Sequence, residues 1–418
     1  MTNTKTKIIE NLFIDYAMTK KNPKYTNAAS RLDIIYRKVD DIRSPFERDY
    51  HRILYSNAYR RLKHKTQVFF ATNNDHICTR IEHVNHVSSA AEVIARCLGL
   101  NAELARTIAT GHDLGHSPFG HTGERILKDL VITLGVGTTF WHEKNSLRFI
   151  DFIETLPDYE GYERNLDLSY AVRDGIICHC GEVVENGLKP RDEFIDLEEI
   201  QSANQYQSYS WEGLVVKISD KIAYLGRDIE DALSKKILSE EQKNEFEIII
   251  KDLFGHKKLT DINTSTLVHL FTIDLCKNSN PDTGLCFSKE YFEIMKMIKD
   301  FNYQNIYNHK RLTTFHDYAR LIIETICTTL LSYFDGKNSI YKIKCDEMYY
   351  PQLCSTFSDW LIKYSNAIST EERMNKKLLN KVIYNISDEK DYKTAVIDFI
   401  SGMTDSFAIK MFNEIINF

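Results

Sequence analysis

The segment VVKISDKIAYLGRDIEDAL, residues 215–233, carries the pattern from which the fold class is inferred. Apolar side chains recur in it at steps of three and four, at Val215, Ile218, Ile222, Leu225 and Ile229. This spacing is typical of an amphipathic helix. At 100° per residue, a second face of that helix, within an arc of about 80°, carries Asp220, Tyr224 and Asp228. One face is therefore expected to pack in a core, while the other presents two carboxylates and a phenol.

The same periodicity recurs along the chain. It predicts further helices over residues 84–98, 100–113, 244–254 and 318–334. The seven prolines leave long proline-free spans, which also favours helices. Strand signals are few, with one short β-hairpin expected near residues 65–76. We therefore predict an all-α fold, with a soft boundary near residues 234–240.

Composition limits the class of protein. The chain has 418 residues, of which 43% are hydrophobic and 27% charged, as in a soluble globular protein. No apolar run approaches the roughly 18 residues of a membrane span, and residues 1–13 lack the apolar centre of a signal peptide. The nine cysteines include no CxxC pair, so reduced thiols are expected. These features predict a cytoplasmic protein without a membrane partner.

Charge is distributed unevenly. The net charge of −6 argues against general coating of nucleic acid. Between Arg37 and Lys65, however, nine of 29 residues are Lys or Arg. This basic stretch is interpreted either as a solvated helix face or as an anion site in an otherwise acidic protein.

Histidines concentrate in one part of the chain. Six of the 14 lie within residues 83–142, at His83, His86, His112, His116, His121 and His142. The densest segment is TGHDLGHSPFGHTGE, residues 110–124, and so many titratable groups are costly to bury unless something pairs them.

The histidine region predicts a metal site. His83, the adjacent pair His112 and Asp113, and Asp220 supply two imidazoles and two carboxylates, a donor set suited to a borderline or hard divalent ion. Such a set leaves coordination positions open for water and substrate, as a hydrolytic metal requires. His86 lies three residues after His83, and helix geometry alone leaves either one free to face inward.

Five segments in order carry a resemblance to a known family. They are residues 44–69 (SPFERDYHRILYSNAYRRLKHKTQVF), 79–100 (TRIEHVNHVSSAAEVIARCLGL), 111–124 (GHDLGHSPFGHTGE), 142–148 (HEKNSLR) and 218–231 (ISDKIAYLGRDIED). Together they resemble the deoxyguanosinetriphosphate triphosphohydrolase family of HD-domain phosphohydrolases, related to the human SAM-and-HD-domain dNTPase. The resemblance implies an N-terminal helical extension over residues 1–39, an HD core over residues 40–235 and a C-terminal helical region over residues 236–418 packed on that core.

The resemblance also implies a reaction and a set of site residues. The family hydrolyses a dNTP, with dGTP the default expectation, at the α-phosphate to a deoxynucleoside and inorganic triphosphate. The implied ligands of a divalent ion (Mg, Mn, Co, Ni, Fe or Zn) are His83, chosen over His86, with His112, Asp113 and Asp220. His121 matches the general acid, oriented by Glu124, and His116 and His142 match imidazoles that line the α-phosphate.

Substrate contacts follow from the same resemblance. Arg80 and Lys221 match residues that contact phosphate, and Tyr224 matches the ring that excludes a 2′-hydroxyl. Gln67 and Asp228 match residues that bind the 3′-hydroxyl. The basic stretch is expected to add counter-charge for the triphosphate, although its Arg48, Arg52, Arg60 and Arg61 have no assigned role. The segment HEKNS departs from the family pattern, so Glu143 and Asn145 have no assigned role either.

The resemblance further implies a homo-oligomer, a tetramer or hexamer, with a regulatory dNTP or single-stranded DNA as possible additional ligands. Two alternatives stay open at the level of sequence. One is another HD phosphohydrolase, a 5′-nucleotidase or a phosphodiesterase, although those relatives lack the block around residues 60–69. The other is a nucleotide-sensing or nucleic-acid-binding protein with a secondary active site.

Overall fold

The fold is described from a computed structural model, which covers residues 11–33, 41–70, 77–180, 186–253 and 264–417. Within these ranges the chain forms eighteen α-helices and one sheet of two short strands. The predicted all-α class is confirmed.

Nine α-helices lie in the part of the chain that ends at residue 234. They are α1 (Tyr25–Ala28), α2 (Pro45–Tyr55), α3 (Asn57–Arg61), α4 (Arg80–Leu98), α5 (Ala102–Gly111), α6 (Gly120–Thr133), α7 (His142–Arg148), α8 (Tyr170–Cys178) and α9 (Trp211–Ser234).

The rest of the described chain is helical as well. Its helices are α10 (Glu240–Leu253), α11 (Thr264–Asn278), α12 (Lys289–Asn302), α13 (Lys310–Ser332), α14 (Ser339–Cys345), α15 (Pro351–Tyr364), α16 (Thr370–Asn375), α17 (Glu389–Ser401) and α18 (Asp405–Ile416). A π-helical turn, Tyr303–Tyr307, follows α12.

Local sequence explains where the central helices begin and end. Thr79 and Glu82 form a capping box at the start of α4, and Gly99 ends that helix in the left-handed conformation. The Asn101 and Ser210 side chains accept backbone N–H groups at the starts of α5 and α9. The helices predicted over residues 84–98, 100–113, 215–233, 244–254 and 318–334 correspond to α4, α5, α9, α10 and α13, with C-terminal ends that differ by up to two residues and with residue 254 outside the described ranges.

The sheet lies away from the predicted hairpin. Strands β1 (Thr155–Pro157) and β2 (Glu163–Asn165) pair antiparallel, with Leu156 opposite Arg164. Of the hairpin predicted over residues 65–76, residues 71–76 lie outside the described part of the chain. Thr66, at its start, forms an isolated antiparallel bridge with Thr79.

Helix packing brings the histidine-rich segments together. Helices α4, α5 and α9 pack against one another, and α8 packs on both α5 and α9. From the C-terminal part of the chain, α11 packs on α9, while α13 packs on α6, α17 and α18. The junction of α4, α5 and α9 is where the first functional side chains meet. The proposed division at residues 39 and 235 stays a prediction.

Candidate metal-dependent active site

The residues named above as candidate metal ligands converge where α4, α5 and α9 meet, and we call them the metal group. His83 lies near the start of α4, Asp220 lies midway along α9, and His112 and Asp113 follow the last residue of α5. His83 Nε2 lies 2.9 Å from Asp220 Oδ1. His112 Nε2 lies 3.5 Å from Asp113 Oδ1 and 3.8 Å from Asp220 Oδ1. His86, the alternative to His83, is exposed on α4.

The hydrogen bonds of His112 leave one nitrogen for a ligand. Its Nδ1 lies 2.7 Å from the carbonyl oxygen of Ala109, so Nδ1 carries the proton and Nε2 presents a lone pair. This buried Nε2 has no hydrogen-bond partner among the described residues. A buried acceptor without a partner is costly unless a ligand occupies it. His83, His112 and Asp220 present ligand atoms close enough together to hold one divalent ion, and Asp113 belongs to an overlapping cluster with His112 and His179.

The charge of the metal group suits a cation. Burial alone would raise the pKa of Asp113, but His112, His116 and Arg80 outweigh it and hold that pKa well below its usual range. Burial likewise opposes ionisation of Asp220, and the hydrogen bond and charge of His83 lower its pKa nonetheless. Both carboxylates are therefore ionised at neutral pH.

The loop after Asp113 is fixed by hydrogen bonds from two side chains of α7. The Ser146 hydroxyl donates to the His112 carbonyl and accepts the Gly115 N–H, both at 2.9 Å. The Asn145 amide donates to the Gly115 carbonyl at 2.6 Å. A Cβ at position 115 would lie only 2.1 Å from the Ser146 nitrogen, so only glycine permits this approach. Asn145, which had no role at the level of sequence, thus helps to fix the loop.

His121, Glu124 and His142 form a second cluster, which we call the proton group. Glu124 Oε2 lies 3.3 Å from His121 Nδ1 and 3.0 Å from His142 Nδ1, so one carboxylate binds both rings. The His142 ring stacks on His116 with centroids 3.9 Å apart. His116 Nε2 in turn lies 3.2 Å from Asp113 Oδ1. The proton group is thus connected to the metal group through His116.

The two stacked rings differ in protonation. Burial favours the neutral form of His142, but Glu143 and Glu124 outweigh it and raise its pKa to about 10. The pKa of His116 lies well below its usual range because of burial, with Arg80 and His142 acting in the same direction. His142 is therefore an imidazolium and His116 a neutral imidazole at pH 7.

Gln67 and Arg80 lie beside the metal group. Arg80 is 1% exposed and donates from Nη1 to Asp113 Oδ2 at 2.7 Å. Its Nη2 donates to the Gln67 carbonyl at 3.3 Å. Two of their side-chain atoms, Arg80 Nε and Gln67 Oε1, are buried without hydrogen-bond partners in the described part of the chain. Both atoms are available to a ligand.

The α9 face predicted to bind substrate is partly covered. Asp228 is buried, and the Tyr307 hydroxyl donates to its Oδ2. Burial raises the pKa of Asp228 to about 6 and lowers the pKa of Lys221 to about 7. Tyr224 is partly buried on the same helix. Tyr307, in the π-helical turn after α12, received no role from the sequence, because the segment around it resembles the family too weakly to carry one.

Two further residues at the site were missed. His179, which follows α8, bonds the Ile176 carbonyl through Nδ1 at 2.6 Å, and its ring lies 4.9 Å from the His112 ring, centroid to centroid. Burial lowers its pKa to about 3. Glu143 is 1% exposed, with Oε1 lying 3.2 Å from His142 Nε2. The segment CHC at residues 178–180 contained the only sequence signal for His179.

Most of the described basic stretch is used within the fold. Arg48 donates to Asp41 Oδ2 and Arg61 to Glu154 Oε1, each at 2.6 Å. Arg52 donates to the carbonyl oxygens of Leu166 and Asn165 at 2.5 and 3.0 Å. These contacts support a structural role for the three arginines. Residues 37–40 of the stretch lie outside the described ranges.

Comparison with known proteins identifies the same region. The HD domain family matches residues 80–225, a range that contains the whole metal group. A relative from Caldanaerobacter subterraneus subsp. tengcongensis is 32% identical over 380 residues, which are 90% of this chain and 86% of the relative. It is described as a deoxyguanosinetriphosphate triphosphohydrolase-like protein. The chain belongs to the deoxyguanosinetriphosphate triphosphohydrolase family of HD-domain proteins.

Other members of this family carry the same description. The relative from Pelagibacter ubique is 30% identical over 406 residues, which are 90% of this chain and 95% of the relative. The relative from Desulfatibacillum aliphaticivorans is 35% identical over 272 residues, which are 64% of this chain and 67% of the relative. The family predicted from the sequence is therefore confirmed, and the chain is a metal-dependent HD-domain phosphohydrolase. Among the described residues no helix is both long and apolar enough to cross a membrane.

Proposed function

We propose that the protein hydrolyses a deoxynucleoside triphosphate at the α-phosphate and releases a deoxynucleoside and inorganic triphosphate. The observation that carries the proposal is the continuous path from the metal group to the proton group. Asp113, His116 and His142 follow one another within 3.9 Å, measured between polar atoms or ring centroids, and Glu124 links His142 to His121. A proton donor beside an HD-type metal group is what cleavage of a bond to a poor alkoxide leaving group requires.

In this proposal His83, His112, Asp113 and Asp220 hold the divalent ion. When bound, the ion supplies Lewis acidity at a phosphoryl oxygen and makes a water nucleophile available near neutral pH. The donor set is compatible with Mg, Mn, Co, Ni, Fe or Zn. Arg80 orients Asp113 for this task, because Arg80 Nη1 donates to Asp113 Oδ2 at 2.7 Å.

The α-phosphate needs positive charge as the bond breaks. We assign that charge to Arg80 and to His142, whose pKa of about 10 keeps it protonated. His116 is neutral, so its contribution is to orient Asp113 and to support the His142 ring. The sequence did not distinguish the protonation states of His116 and His142. Their surroundings differ, because Glu124 and Glu143 lie beside His142.

His121 is assigned as the acid. Its side chain is 67% exposed at the mouth of the site, where a substrate can reach it, and Glu124 lies 3.3 Å from its Nδ1. This contact leaves Nε2 to donate a proton to the departing 5′-oxygen. A γ-phosphate-cleaving enzyme would not need this acid, since its nucleotide leaving group is already a stable anion.

The sugar and the outer phosphates are assigned to the remaining residues. Gln67 Oε1 and the second oxygen of Asp228 are proposed to bind the 3′-hydroxyl, and the Tyr224 ring to crowd the 2′ position. Lys221, with a pKa lowered to about 7, would be held protonated by the phosphate tail. A tetramer or hexamer, and a regulatory dNTP or single-stranded DNA, stay predictions.

An assay with each of the four dNTPs, resolving nucleoside, nucleotide, orthophosphate and triphosphate, tests the proposal. Deoxynucleoside and triphosphate should appear in equal amounts, with dGTP as the default substrate. Release of dNMP, dNDP or orthophosphate as a first product would contradict it. Turnover of nucleoside monophosphates or cyclic nucleotides alone would favour the other HD phosphohydrolases.

A further inference from the structure

We propose that Asp405 is a positioning residue of the active site, acting from the C-terminal helices on two segments that carry substrate contacts. Its buried carboxylate joins the turn that precedes His121 to the segment that contains Gln67. The inference rests on the proposed function for the tasks of those two residues. No sequence motif singles Asp405 out.

The contacts of Asp405 are divided between the two segments. Asp405 is the first residue of α18 and is 3% exposed. Its Oδ1 accepts the backbone N–H of Phe119 at 2.8 Å. Its Oδ2 accepts the backbone N–H of Thr66 at 2.9 Å and also the Thr66 hydroxyl. Three donors from two distant segments thus meet at one carboxylate.

The turn at Phe119 needs such support. Phe119 has a φ of 64°, in the left-handed region that side-chain-bearing residues disfavour, and it directly precedes α6. His121 is the second residue of that helix, so the direction of the turn sets the position of its ring. A Cβ at Gly120 would lie 3.2 Å from the Gln67 carbonyl, which means that the two segments already touch there.

A second buried group supports the same loop. The ammonium of Lys65 is 2% exposed and donates to the carbonyl of His116 and, at 3.4 Å, to that of Ser401 at the end of α17. The junction between α17 and α18 therefore contacts the loop through Ser401 and Asp405. The C-terminal region takes part in the site by fixing its backbone.

An amide cannot replace this carboxylate. Both oxygens of Asp405 accept from backbone N–H groups, whereas asparagine offers one acceptor oxygen and an NH₂ group that would face a donor. The Asp405→Asn variant keeps size and shape and breaks one of the two connections. A displacement of His121 by about 1 Å is enough to lower turnover by up to about 100-fold.

The test is a double-mutant cycle of Asp405→Asn with His121→Ala, in which kcat, KM and metal content are measured for all four proteins. Asp405→Asn alone should lower kcat by about 10- to 100-fold with full metal content. In the His121→Ala background it should lower kcat by less than about 2-fold, because the acid it positions is already absent, and any effect through the Gln67 segment should appear in KM. If the fold-losses in kcat of the two single variants multiply in the double variant, the two residues act independently and the proposal is overturned.

A matched control separates positioning from general destabilisation. Asp398 is a buried carboxylate of α17 that binds Arg148 and Tyr384, and within the described ranges its side chain has no hydrogen bond to the loop. Asp398→Asn should therefore retain kcat at temperatures where both variants are folded. An equal loss of kcat in this control would overturn the proposal.

A structural measurement makes the outcome independent of the substrate. Amide hydrogen exchange over residues 115–124 should be faster in Asp405→Asn than in the wild type and unchanged in Asp398→Asn. If Asp405→Asn does not fold, Thr66→Val removes only the hydroxyl donor, and it should speed exchange at Phe119 and lower kcat several-fold. Unchanged exchange and kcat would contradict the inference. Full activity of His121→Ala would instead contradict the proposed function.

Discussion

The metal group and the proton group differ in how many of their polar atoms have partners within the chain. The metal group is buried except for the partly exposed Asp220, draws on three helices, and leaves His112 Nε2 without a hydrogen-bond partner among the described residues. The proton group comes from the starts of α6 and α7, and there one carboxylate binds both imidazoles. The polar atoms of the metal group all have partners only when a cation is bound. In the proton group, Glu124 already pairs with both imidazoles without a ligand. Variants of the first should therefore lose the ion, and variants of the second should lose only rate.

The largest effect is expected in the metal group. Asp113→Ala removes a ligand and a negative charge, so metal content should collapse and activity should fall by about 10⁴-fold or more while the fold persists. Elemental analysis of the purified variant measures the occupancy. His86→Ala, an exposed neighbour of His83 on α4, is the matched control and should keep its metal. Full occupancy in Asp113→Ala would contradict the assignment.

The proton group should respond differently. His121→Ala should retain metal and nucleotide binding and lose roughly 10²–10⁴-fold in kcat, the usual contribution of a positioned acid. Lys128→Ala, exposed on the same helix, provides the comparison. Loss of metal from His121→Ala would erase the distinction between the two groups.

Discrimination against ribonucleotides should be smaller. If Tyr224 crowds the 2′ position, GTP should be hydrolysed roughly 5- to 150-fold less efficiently than dGTP. The misfit leaves polar groups unpaired, which costs about 1–3 kcal/mol. Tyr224→Phe keeps the ring and should preserve this ratio, whereas Tyr224→Ala should narrow it. Equal kcat/KM for the two nucleotides in the wild type would exclude this role.

The final prediction concerns the pH dependence of stability and tests the charge on His142. Its pKa is raised in the folded protein to about 10, so its stabilising contribution is complete below the unfolded value near 6.5 and is lost as the pH rises towards 10. The stability difference between wild type and His142→Gln should shrink by at most about 1.4 kcal/mol per pH unit across that interval. Chemical denaturation at several pH values measures it. A difference that stays constant over this interval would mean that His142 is neutral in the folded protein.

The convergence of the metal group was predictable because its members lie in, or directly after, helices with clear periodicity and in a recognisable motif. The choice of His83 over His86 agrees with their opposite exposure on α4. The protonation states of His116 and His142 were not predictable, since they depend on Glu124, Glu143 and Arg80 packed around them. Sequence spacing carries no information about such neighbours.

Long-range partners explain the other differences. Arg48 and Arg61 had no role assigned from the sequence, and the structure pairs them with Asp41 and Glu154. Asp405 contacts Phe119 across 286 positions of sequence, a connection that no local pattern can indicate. Strands β1 and β2 are too short to show the alternation by which a sequence locates a hairpin.

Hydrolysis in ¹⁸O-labelled water tests most directly which bond breaks. A limiting amount of dGTP, or of whichever dNTP is hydrolysed fastest, is converted completely, and both products are analysed by mass spectrometry. The account predicts one labelled oxygen in the inorganic triphosphate and none in the deoxynucleoside, because water attacks the α-phosphorus while His121 protonates the departing 5′-oxygen. Label in the 5′-hydroxyl of the deoxynucleoside, or orthophosphate as the first labelled product, would contradict it.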